Sequence, residues 1–135
     1  MPCGFDLAHY AELLDAAGEG GYRFASFDRP PGAGDLLLRH DVDMSLDAAL
    51  TMAELEAARG VPATYFLMTR GEFYNLDSRS GVAALVRLRD LGHRVGLHAV
   101  HPDATLDDRF DRVVAWHTPD PDFMSEPLDG APFRA

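Results

Sequence analysis

The sequence contains no lysine, no isoleucine and no glutamine, and only one cysteine. Without lysine, Schiff-base catalysis, a Walker-type phosphate loop and a receiver-type phospho-acceptor site that relies on lysine are excluded. Cys3 by itself cannot close an internal disulfide. Positive charge is scarce as well: the 12 cationic side chains, all arginine, face 22 acidic ones, for a formal charge of −10. Neutralising nucleic-acid phosphates takes clustered cations, and the nearest approach, around Arg87, Arg89 and Arg94, reads as a solvated helix face. No apolar run approaches the roughly 18 residues of a membrane span, and no basic start precedes an apolar stretch near the N-terminus. These absences predict a cytoplasmic chain with neither nucleic-acid nor membrane partners.

What is present is globular: 47% of the 135 residues are apolar and 25% charged. That length fits a single domain over 1–135. Leu7, Tyr10, Leu13, Leu14 and Ala17 recur at helical spacing between a candidate N-cap, Asp6, and a candidate stop, Gly18. A short strand is predicted over 22–27, packed outside the main sheet, so an N-terminal helix and strand occupy 6–27. From 36 the pattern becomes alternating strand and helix. Leu36-Leu37-Leu38 reads as a strand buried on both faces and ends in His40-Asp41-Val42-Asp43. Ser45 caps a helix over 46–59 stopped by Gly60; Ala63 to Met68 forms a second apolar run; Ser80 caps a third helix ended by Gly92. Arg94 to Leu97 is a strand delivering His98, and Val113 to Trp116 delivers His117. This alternation over 36–117 predicts an α/β fold with parallel strands and flanking helices, followed by an irregular tail over 118–135.

The chemistry gathers by position. Asp41 and Asp43, then His98 and His101, then His117, all fall just after predicted strands, at the ends where parallel α/β folds build their sites. Asp43 with two imidazoles makes a set suited to a borderline divalent cation, zinc above all, with positions left for water and substrate. Asp41 beside it can act as a general base. Tyr74 and Asn75, in the loop after the second apolar run, can reach the same rim as substrate contacts. His40 and His93 are expected to be structural, and His9 to lie at the surface.

His40-Asp41-Val42-Asp43 and Gly92-His93-Arg94-Val95-Gly96-Leu97-His98 resemble the first two motifs of the polysaccharide deacetylase family, and Ala63-Thr64-Tyr65-Phe66 fits its second strand. The resemblance covers roughly 36–117. It implies a partial deformed (β/α) barrel and metal-dependent hydrolysis of N-acetyl or related non-peptide carbon–nitrogen bonds on a carbohydrate or other small-molecule substrate. It assigns Asp41 as general base, Asp43 as a metal ligand and His98 as the first imidazole ligand. His101, three residues on where the family usually has four, would be the third ligand. Trp116-His117-Thr118-Pro119 stands at the third motif, which makes His117 a substrate contact or a replacement third ligand. The segment 102–112 is shorter than a usual crossover of about a dozen or more residues, and the family's later motifs have no counterpart. A reduced, catalytically incomplete protein that binds metal or sugar is therefore the alternative expectation. An incomplete barrel also leaves sheet edges and helix faces that favour a homo-oligomer.

Overall fold

In the computed structural model, residues 4–69 and 71–98 are described. Residues His101 and His117, the strand expected before His117 and the C-terminal tail lie outside them. The described residues form a mixed α/β structure: α1 (Leu7–Glu19), β1 (Arg23–Ala25), β2 (Asp35–Leu37), β3 (Arg39–Val42), α2 (Leu46–Ala57), β4 (Thr64–Leu67), α3 (Arg79–Asp90) and β5 (Arg94–Leu97). All pairings are parallel, in a two-stranded sheet β1-β2 and a three-stranded sheet β3-β4-β5. Among the described residues no closed barrel forms.

The caps explain most element boundaries. Asp6 accepts from the His9 amide and Ser45 from the Ala48 amide, as their positions before apolar periodic runs dictate. Gly60 and Gly92 follow α2 and α3 at φ of 67° and 90°, a conformation that costs glycine nothing. Two expectations shift. α1 runs past Gly18, and the left-handed residue is Gly21 at φ 83°. α3 is capped by Ser78, not Ser80, because Ser78 accepts from the Gly81 amide while its own hydroxyl donates to Asn75 O.

The apolar run at Leu36-Leu37-Leu38 is divided between two sheets. β2 pairs with β1, and one residue later the Leu38 carbonyl accepts from Thr64 N as the chain joins β4. β2 is only half-buried, whereas every residue of β4 is buried, because among the described strands β4 alone has a strand on each side. The strand buried on both faces is thus the second apolar run.

The sheet alternates cleanly. Val42, Tyr65, Leu67, Val95 and Leu97 face α2 and α3 and form one core with Ala49, Ala53, Leu76, Leu85 and Leu88. Asp41, Phe66 and Gly96 are register partners on the opposite face. That face carries the candidate chemistry.

On the helix side the core is organised around a charge. Glu56 on α2 is fully buried and accepts from the Tyr10 hydroxyl of α1, from His40 Nε2 of β3 at 2.6 Å and from the Tyr65 hydroxyl of β4 at 2.7 Å. Burial pushes this carboxyl up, and the bonds from His40, Tyr10 and Tyr65 outweigh it, so its net shift is downward. The same burial, with Glu56 beside them, raises both tyrosines well above their ordinary value. One carboxylate therefore ties two helices to two strands.

Candidate metal and catalytic site

Asp43 and His98 are the residues that follow β3 and β5, the outer strands of the sheet. Neighbouring strands stand about 4.8 Å apart, so two strands flanking a third are separated by about 10 Å. The two side chains close that gap: Asp43 Oδ1 and His98 Nε2 are 3.0 Å apart across the end of β4. The carboxylate is exposed and the imidazole mostly buried, with side-chain exposures of 65% and 18%.

The two histidines of the second motif are held differently. His93 is locked by both nitrogens: Nδ1 accepts from Ala63 N at 3.2 Å, and Nε2 donates to Ala53 O at 2.9 Å. That is the structural role expected from sequence. His98 is held by Nε2 alone; its buried Nδ1 has no hydrogen-bond partner among the described residues. His40, also expected to be structural, is committed to Glu56.

Asp41 lies on the same face as Asp43, two residues earlier. Arg39 reaches it with two nitrogens, Nε to Oδ1 at 2.8 Å and Nη2 to Oδ2 at 3.3 Å. The guanidinium sits over the Phe66 ring, 4.2 Å from its centroid. Phe66 in turn packs edge-on against Phe27 and covers Gly96, where a Cβ would stand 2.6 Å from the ring. A fork on an aromatic platform thus fixes the direction of the candidate base.

The loop after β4 meets the rim as expected, but its polar groups are engaged within the chain. The Tyr74 hydroxyl donates to Val42 O at 2.6 Å and accepts from Met68 N at 2.8 Å. Burial raises its pKa, the Met68 amide lowers it and the nearby Asp43 charge raises it, for a net upward direction. Asn75 Oδ1 accepts from Asp77 N and its carbonyl from the Ser78 hydroxyl, a local turn leading into α3. Ser45 alone caps α2, which leaves Asp41 and Asp43 free of that duty.

Sequence reasoning missed Arg39, Phe66 and Glu56. Two of them carried a signal. Ala49, Ala53 and Glu56 share one face of α2, so a carboxylate stood on the apolar stripe. Arg39 and Asp41, two apart on a strand, point the same way.

Asp43 and His98 pair a carboxylate oxygen with an imidazole nitrogen, two donor types that a borderline divalent cation accepts. With bonds of about 2.0–2.1 Å, oxygen and nitrogen ligands of one ion lie about 2.9 Å apart in an octahedral site and about 3.3 Å apart in a tetrahedral one, and the 3.0 Å separation falls in that range. Among the described residues no group of three potential ligands forms, and none of their helices is long and apolar enough to cross a membrane. Comparison with family models, with curated proteins and with solved structures finds no match.

Proposed function

We propose that this chain is a metal-dependent hydrolase similar to polysaccharide deacetylases, removing an acetyl group from an N-acetylated sugar or cleaving a related non-peptide carbon–nitrogen bond. The observation that carries it is the approach of Asp43 and His98 from the two outer strands, with Asp41 two residues before Asp43 on the same face of β3. In this reading the three-stranded sheet with α2 and α3 behind it is a segment of a deformed (β/α) barrel. Its helix-free face is the inside.

Asp43 and His98 would hold the metal, with His101 or His117, both outside the described residues, as the third ligand. A divalent ion held there, zinc by donor type, would supply Lewis-acid chemistry, lowering the pKa of water. Asp41 would take the proton from the attacking water, its carboxylate held in place by Arg39. Tyr74 and Asn75, in the loop after β4, and His117, outside the described residues, are the candidate substrate contacts of this reading. The substrate is a carbohydrate or another small molecule.

Elemental analysis of purified wild-type protein beside Asp43→Ala and His98→Ala tests the reading. About one divalent ion per chain, lost in both variants and accompanied by acetate release from N-acetylated sugars, is the expected result. A folded wild type that takes up no zinc on reconstitution overturns it. Metal uptake without hydrolysis would leave a binding protein in place of an enzyme.

A further inference from the structure

Resting on the reading above, we infer that Tyr74 is a positioning residue for the metal site: its hydroxyl is inserted as the last rung between β3 and β4 and sets where Asp43 stands. The ladder itself gives the reason. Thr64, in register with Arg39, donates its amide to Leu38 O, the residue before that partner. Arg94, in register with Thr64, donates to Ala63 O, and His98 to Leu67 O. By the same rule the next rung between β3 and β4 would run from Met68 N to Val42 O.

Both groups instead bond the Tyr74 hydroxyl, at 2.8 and 2.6 Å. The β3–β4 rung is thereby widened by one oxygen atom at the peptide that leads into Asp43. The β4–β5 rung at His98 stays direct, at 2.8 Å. One outer strand is moved off β4 while the other stays docked, and the side chains beyond these rungs meet at 3.0 Å. The ring is held for this purpose: Tyr74 packs on the core, and Leu76 beside it is fully buried and donates its amide to Thr69 O.

Removing only the hydroxyl frees Met68 N and Val42 O to pair directly, which draws the end of β3 toward β4 and carries Asp43 with it. The test is titration of Tyr74→Phe with Co²⁺ in place of zinc, followed by its visible spectrum, beside wild type and Leu76→Val. Leu76→Val loosens the same loop and keeps the hydroxyl. The expected result is Co²⁺ affinity weakened about tenfold or more in Tyr74→Phe, as for loss of an outer-shell support, with an altered spectrum. Leu76→Val should lower Tm and leave both unchanged.

Wild-type affinity and spectrum in Tyr74→Phe would overturn the inference and leave the hydrolase reading standing. A wild type that binds no Co²⁺ removes both. If Tyr74→Phe does not fold, the wild type decides by reciprocity, since a rung that supports the ligand must itself be supported by the metal. The Met68 amide should then exchange more slowly when zinc is added, and an unchanged rate overturns the proposal.

Discussion

Replacing Glu56 with leucine probes the charge at the centre of the core. The carboxylate accepts three hydrogen bonds from three different elements and is itself fully buried. Leucine keeps most of the volume and leaves the Tyr10 and Tyr65 hydroxyls and His40 Nε2 without their acceptor. Each hydrogen bond to a charged group contributes about 1.5–3 kcal/mol. The three are not additive, since one desolvation cost is removed with the charge. The expected loss is about 3–5 kcal/mol, the range for breaking a buried charged cluster from one side. At about 3–4 °C per kcal/mol for a chain of this length, Tm falls by about 10–20 °C. Glu56→Gln keeps one acceptor oxygen for Tyr10 and His40, and its cost is about 1–2 kcal/mol. Urea titrations at several pH values check both. Because the carboxyl is depressed in the fold, its contribution is complete above about pH 4.3, the unfolded value, and disappears as pH falls through the lower folded one. Asp35 acts on the same acid limb: the Gly32 amide and the Arg29 and Arg23 guanidiniums hold it down to about 2. The Glu56→Gln profile should therefore be flatter in acid than wild type without becoming flat. A leucine variant within about 1 kcal/mol of wild type would refute the clustering argument.

At the alkaline end, Tyr10 and Tyr65 are raised in the fold, so stability holds below about pH 10 and then falls by up to about 1.4 kcal/mol per pH unit for each. Urea midpoints between pH 8 and 11 measure this, and Tyr65→Phe should shallow the slope; an unchanged slope rejects the assignment. Among glycines, Gly81→Ala should be worse than Gly96→Ala. At Gly81 the new Cβ would lie 2.5 Å from Leu76 Cα and against Asn75 O, backbone anchored by the buried Leu76 side chain, whereas at Gly96 it meets the Phe66 ring, which can tilt. Overpacking costs typically run about 1–3 kcal/mol, with Gly96→Ala inside that range and Gly81→Ala at or above its top; thermal melts showing the reverse order would reject the contact argument.

The sequence by itself determined what depends on local pattern. Caps at Asp6 and Ser45, glycines after α2 and α3, and apolar runs of strand length set the order of elements, because each is decided within a few residues. It also placed Asp43 and His98 just where strands end, since that follows from the alternation alone, whereas Asp41, expected after a strand ending at Leu38, lies inside β3 because the strand paired with β4 runs from Arg39 to Val42. Tertiary structure decided what depends on neighbours across the chain. Leu36-Leu37-Leu38 and Thr64–Leu67 look alike as apolar runs, yet only the latter has a strand on both sides and is fully buried. Glu56 is an ordinary helical glutamate until α1, β3 and β4 bring three donors to it. Tyr74 is an ordinary loop tyrosine until its hydroxyl is seen between Val42 and Met68. Asp43 and His98 are separated by half the described chain, and their 3.0 Å approach exists because parallel pairing through β4 brings the two outer strands to end at one rim.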